Sequence, residues 1–125
     1  MQQGVPVIRA LIIDDIESVR QHLRQILFQL GIVDVLEAKD GLSAGALFNQ
    51  YKPELVFLDL QLPDINGQLL LKQFKLSQQQ TKVFIISAYS TVDNLKQALE
   101  YGASAFVIKP ISAHRISKLV QPLLV

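Results

Sequence analysis

The chain has no cysteine. That absence excludes disulfides and thiolate metal sites, and it fits a cytoplasmic protein. Charge is also scarce, 18% of residues with a net charge of +1, so no strong pull toward nucleic acid or an anionic membrane is expected. Long apolar runs are missing, none approaching the roughly 20 residues that span a bilayer. The start, Met1-Gln-Gln-Gly-Val-Pro6, lacks the basic-then-apolar pattern of a signal peptide. What the chain does have is apolar residues, 50% of 125 positions, enough for one well-packed domain and against disorder.

Those apolar residues come as short runs separated by amphipathic stretches. Residues 7–13, 33–37, 55–58, 83–86 and 105–108, rich in Val, Ile, Leu and Phe, read as buried strands. Residues 16–30 place Val19, Leu23, Ile26, Leu27 and Leu30 on one helical face, and Gly31 stops that helix. Asp40-Gly41 opens a second helix reaching about Tyr51, weakened by Gly45 in its interior. Residues 68–76 form a third, after a turn-rich loop from Asp59 to Gly67. Residues 91–101 form a fourth with Val92, Leu95 and Leu99 inward, stopped by Gly102. Ser112 caps a last helix carrying Ile116, Leu119 and Val120, which Pro122 ends early. Five β-α units in strict alternation predict an α/β fold, a doubly wound parallel sheet with helices on both faces. Right-handed crossovers allow the flavodoxin-like order 2-1-3-4-5 and shorter Rossmann-like orders alike.

Four of the five runs end on a polar residue: the Asp14–Asp15 pair, Asp59, Ser87 and Lys109. In an open α/β sheet ligands bind outside the carboxyl ends of the strands, so these groups meet on one rim. Three carboxylates at one point raise one another's pKa unless a cation intervenes. With only oxygen donors, a hard ion is favoured, magnesium more than calcium. A carboxylate beside such an ion can act as nucleophile toward a phosphoryl group, and Asp59, alone at its strand end, is the better candidate. Asp14 and Asp15 suit the ion, while Lys109 supplies a compact positive charge and Ser87 a hydroxyl donor. Taken singly, each has an ordinary explanation: Asp15 as a helix N-cap, Asp59 and Ser87 as turn residues, Lys109 as a solvated residue before Pro110. Those explanations do not account for suitable chemistry at every exit except that of the second strand. His22 and His114 lie on helices without a partner at ligand spacing and read as surface residues.

With these residues in place, the chain resembles a response-regulator receiver domain of two-component signalling. The resemblance rests on Ala10-Leu-Ile-Ile-Asp-Asp15, Ala38-Lys-Asp-Gly41, Pro53-Glu-Leu-Val-Phe-Leu-Asp59, Leu62-Pro63 with Gly67, Ile86-Ser-Ala88, Gly102-Ala103 and Val107-Ile-Lys-Pro110. It makes residues 1–125 one receiver domain with a core of about 7–121, and it selects the order 2-1-3-4-5. It implies phosphorylation of Asp59 by a histidine kinase or phosphotransfer protein. It also implies Mg2+ held by Asp15, Asp59 and the backbone carbonyl of Gln61, with Asp14 acting through water. Lys109 would pair with the phosphoryl group and, before phosphorylation, with Asp59, and the Lys109–Pro110 bond would be cis. Ser87 would swing toward the phosphoryl oxygen and Phe106 turn inward, reshaping the face of helix four, strand five and helix five. Lys96, Tyr101, Arg115 and Lys118 are candidates for that face. Such a domain is a switch and not an enzyme, its only catalysis being its own phosphorylation and dephosphorylation.

The chain departs from the family pattern at several positions. Gln61 and Tyr89 stand where similar domains tune the lifetime of the acyl phosphate, Leu62 replaces the commoner Met, and Phe106 replaces Tyr. Ser104, Ala105 and Ile111 weaken the charged dimer interface typical of DNA-binding regulators. With no helix-turn-helix, basic patch or second core, a stand-alone adaptor acting on a downstream protein target is expected, as monomer or phosphorylation-dependent dimer. The apolar ending Pro122-Leu-Leu-Val125 also suits the receiver part of a longer regulator with a DNA-binding or enzymatic output domain. An aspartate-nucleophile phosphohydrolase fits less well, because Ile16 stands where a second acid is needed after Asp14. A nucleotide-binding domain lacks its glycine-rich phosphate loop, since the first turn reads Asp-Asp-Ile-Glu. A pseudo-receiver that works without phosphorylation would leave five suitable site residues without a use.

Overall fold

The computed structural model describes residues 7–88 and 91–124. Five strands, β1 (Arg9–Ile13), β2 (Asp34–Ala38), β3 (Leu55–Asp59), β4 (Lys82–Ser87) and β5 (Ala105–Ile108), alternate with five helices. The helices are α1 (Glu17–Gln29), α2 (Gly41–Tyr51), α3 (Gly67–Ser77), α4 (Val92–Glu100) and α5 (Ala113–Val120), the last followed by a 3₁₀ turn (Gln121–Leu123). The sheet is parallel throughout, in the order β2-β1-β3-β4-β5. This is the flavodoxin-like order, and its direction reverses between β1 and β3.

Side chains alternate across the sheet with period two and build a core on each face. Ala10, Ile12, Leu55, Phe57, Phe84, Ile86 and Val107 meet Leu23, Ile26 and Leu27 of α1 and Ile116 and Val120 of α5. Leu11, Ile13, Val56, Leu58, Val83 and Ile85 meet Ala44 and Phe48 of α2, Leu70, Leu71 and Phe74 of α3, and Ala98 of α4. Phe48 and Phe74 stack with ring centroids 4.0 Å apart, locking α2 to α3. Gly31 and Gly102, after α1 and α4, take positive φ of 91° and 100°, the left-handed cap expected of them. Pro122 falls in the 3₁₀ turn, so α5 does end early. Among the described residues no helix is long and apolar enough to cross a membrane.

The structure corrects the reading of α4. Val92, Leu95 and Leu99 do share one face, but it points outward: they are 71%, 39% and 51% exposed. The nine-residue helix reaches the sheet through Ala98, whose small side chain is fully buried. Apolar spacing identifies a face; it does not say what covers it. Strand boundaries shift slightly, because Val7 and Val33 lie outside β1 and β2 and are exposed.

Between β3 and α3, a Cβ on Gly67 would lie 2.5 Å from Leu60 Cα and 2.7 Å from the Asp59 carbonyl oxygen. These are backbone atoms that cannot step aside. Gly67→Ala is expected to lower stability by roughly 1–3 kcal/mol in urea denaturation, whereas Gly45→Ala, which meets nothing within 4 Å, is expected to leave it unchanged or raise it.

Candidate phosphoryl and metal site

Register brings the site together. Ile13 pairs with Ala38 and Leu58, Asp59 with Ile86, and Ser87 with Ile108. The residues leaving β1, β3, β4 and β5 therefore stand side by side at one end of the sheet. Asp14 continues β1 through its N–H, which donates to the Ala38 carbonyl at 3.0 Å. The Lys109 N–H donates to the Ser87 carbonyl at 2.9 Å and holds the β5 exit against the β4 exit. The Lys109–Pro110 bond is cis, as expected.

Asp14, Asp59 and Ser87 are buried, whereas Asp15 is exposed at the mouth. One carboxylate oxygen from each of Asp14, Asp15 and Asp59 lies within 4.8 Å of the others. The Lys109 ammonium sits among them, 2.8 Å from Asp14 Oδ2 and 3.3 Å from Asp59 Oδ2. The expected pairing with Asp59 is present, but the shorter contact is to Asp14. Burial pushes the Asp59 carboxyl above its ordinary pKa, the neighbouring Asp14 adds to this, and the N–H of Gln61 and Lys109 oppose it. Burial works against the Lys109 ammonium, yet its hydrogen bond to Asp14 and the charges of both acids raise its pKa.

Local structure fixes the two buried carboxylates. The Ile16 N–H donates to Asp14 Oδ1 at 2.9 Å, and the Gln61 N–H donates to Asp59 Oδ1 at 3.0 Å. Each acid thus closes a turn onto the residue two places on and keeps its other oxygen for the pocket. Asp15 is not the cap of α1, whose N-cap is Ile16 without a side-chain cap bond. The ordinary explanation for Asp15 therefore fails, and its carboxylate is exposed at the pocket. Ser112, by contrast, caps α5 as expected, accepting from the Arg115 N–H.

Arg20 contacts the site from α1, although no residue pattern points to it. Its Nη1 donates to the Asp14 backbone carbonyl at 2.6 Å, and its Nε donates to Glu37 at 3.0 Å. Glu37 also accepts from Arg24 at 2.8 Å. The pair lies behind the acid cluster, and periodicity does not reveal it because the partners sit on an amphipathic helix and a neighbouring strand. His22 and His114 are exposed, as expected, and neither is one of the clustered metal-ligating side chains. Phe106 is half-buried, packed against the α2–α3–α4 core. Tyr89 lies outside the described residues.

The donor set fits a hard divalent cation. It is all oxygen, it places acids within reach of one ion, and burial, with Asp14 adding to it, holds Asp59 against its charged form. The fold and site together define a doubly wound α/β domain with an acidic pocket at its topological switch point. Residues 10–121 match the family model described as the response regulator receiver domain. The chain belongs to that family, whose members are phosphoacceptor switches of two-component signalling, bind Mg2+ at the acidic pocket and work with histidine kinases or phosphotransfer proteins and output domains.

Relatives agree. The chemotaxis protein CheY of Bacillus subtilis is 30% identical over 112 residues, covering 90% of this chain and 93% of that protein. The regulatory protein AtoC of Escherichia coli is 33% identical over 113 residues, covering 90% of this chain but 24% of AtoC. Among solved structures, a CheY-like receiver domain protein from Methanospirillum hungatei superposes with a TM-score of 0.89 at 25% identity, covering 95% of this chain and 94% of that one. The CheX–CheY–BeF3–Mg2+ complex from Borrelia burgdorferi superposes with a TM-score of 0.89 at 27% identity, covering 98% of this chain and 92% of that one.

Proposed function

We propose that this chain is a magnesium-dependent phosphoacceptor switch in which Asp59 takes a phosphoryl group from a histidine kinase or phosphotransfer protein. The observation that carries the reading is the Lys109 ammonium held between Asp14 and Asp59 in a buried pocket with Asp15 at its mouth. Asp15, Asp59 and the Gln61 carbonyl would hold the ion directly, and Asp14 through water. Magnesium would neutralise the acids and the incoming phosphoryl oxygens. The Asp59 oxygen facing the pocket attacks phosphorus; the new O–P bond forms as the P–N bond to the donor imidazole breaks, and that electron pair leaves with the imidazole. Lys109 then exchanges a carboxylate oxygen for a phosphoryl oxygen, and Ser87 donates its hydroxyl to another. The BeF3 and Mg2+ named in the Borrelia complex support this chemistry by similarity.

The output follows from the outward face of α4. Val92, Leu95, Leu99 and, on β5, Ile108 leave apolar surface exposed, with Lys96, Arg115 and Lys118 exposed around it and Tyr101 half-buried. Exposed apolar patches of this kind mark interaction surfaces. Movement of Ser87 toward the phosphoryl group, with Phe106 turning inward, would couple the pocket to that surface. The same domain would serve as the receiver part of a longer regulator, a reading supported by the 24% of AtoC that it spans.

The metal half of the reading is tested by magnesium titration followed through backbone amide signals. Saturable shifts at Asp14, Asp15, Asp59 and Gln61 are expected, with affinity falling at least about tenfold in Asp15→Asn. Shifts scattered over the surface, or an unchanged affinity in Asp15→Asn, count against it.

A further inference from the structure

The Asp40-Gly41 pair opens α2, far along the chain from Asp59, and the pocket itself makes no use of it. The structure gives it a partner. Asp64, in the loop between β3 and α3, accepts the Gly41 N–H on Oδ1 at 2.8 Å and the Leu42 N–H on Oδ2 at 2.9 Å. Asp40, the N-cap of α2, accepts the next N–H, that of Ser43, at 2.8 Å. The first turn of α2 is therefore capped twice, once by its own residue and once by the loop.

Gly41 leaves room for the loop at this contact. A Cβ there would overlap the Ile65 Cγ2 methyl and lie 3.2 Å from Asp64 Oδ1. The other end of the loop is equally constrained: the Gly67 N–H donates to the Leu60 carbonyl at 2.9 Å, and Gln61 bridges Asn66. A segment of this length with several turns would otherwise be mobile. Here it is pinned at Asp64 to a helix N-terminus, where negative charge is stabilised. Gln61, three residues before Asp64, donates its N–H to Asp59 Oδ1 and offers the carbonyl assigned to the ion.

We infer that Asp64, through its clamp on Gly41 and Leu42, is a positioning residue that fixes the Gln61 backbone and hence the aim of the Asp59 carboxylate. This rests on the phosphoacceptor reading for the role of Gln61, but the clamp has its own signature. In Asp64→Ala, amide hydrogen exchange at Gln61 is expected to speed up about tenfold, and magnesium affinity to fall about tenfold, as for residues that orient metal ligands. Asp64→Asn keeps one acceptor oxygen and is expected to lose about threefold in affinity; it also serves if Asp64→Ala does not fold. Asp40→Ala is the control: it removes the other cap of the same helix, so it lowers the melting temperature while leaving Gln61 exchange and magnesium affinity unchanged.

Unchanged Gln61 exchange in both Asp64 variants overturns the inference, as does an equal loss of affinity in Asp40→Ala, which would make the effect one of helix stability alone. A wild-type protein that binds no magnesium overturns the phosphoacceptor reading instead, and the exchange measurement still decides whether the clamp orders the loop.

Discussion

Lys109→Ala is expected to cost about 3–5 kcal/mol of stability, the scale seen when one partner of a buried ion pair is removed. The ammonium is the counter-charge for Asp14 and Asp59, both almost fully buried, at 2.8 and 3.3 Å. Without it the two carboxylates face each other unpaired. Magnesium should restore much of the loss, by about 1.4 kcal/mol for each tenfold excess over its dissociation constant. The variant should gain more from magnesium than the wild type, where Lys109 competes for the same oxygens. Thermal melts with and without magnesium read this directly; equal gains in both proteins would count against a shared site. In the wild type the Lys109 pKa is raised above 10.5. Its contribution is therefore fully present below that value and is lost as pH rises through the folded-state pKa.

Asp59→Asn is expected to abolish phosphoryl uptake and, at neutral pH, to stabilise the fold. Asparagine keeps an acceptor for the Gln61 N–H, leaves Lys109 its closer partner Asp14, and removes a charge that burial disfavours. The folded-state pKa of Asp59 lies above 3.8, so its favourable contribution exists below that value and is lost as pH rises through the folded pKa. At neutral pH the wild type therefore carries the cost of an ionised buried acid. A gain of roughly 1 kcal/mol, a few degrees in Tm, is expected, shrinking as pH falls through that pKa. A variant less stable than wild type at neutral pH would mean that the Lys109–Asp59 contact outweighs the burial of the charge.

These groups were legible in the sequence because each ends a short apolar strand, and a parallel sheet turns shared strand ends into shared space. That Asp14, Asp15, Asp59, Ser87 and Lys109 share one end of the sheet could be read without knowing a single contact. The strand order required the family resemblance, because alternation alone permits more than one winding. The orientation of α4 departs from its apolar pattern for a physical reason: Val92, Leu95 and Leu99 have the spacing of a buried face, yet Ala98 makes the contact with the core. Arg20 and Asp64 were not legible either. Their partners, the Asp14 carbonyl and the Gly41 and Leu42 N–H groups, are backbone atoms, which no residue pattern records.

Whether Asp59 accepts a phosphoryl group is decided by incubating the wild-type chain with a small phosphodonor, with and without magnesium, and reading the intact mass and the modified peptide. One phosphoryl group is expected, added only with magnesium, carried by Asp59 and labile to acid and base as an acyl phosphate. No added mass, or a phosphoryl group that persists in Asp59→Asn, would contradict it.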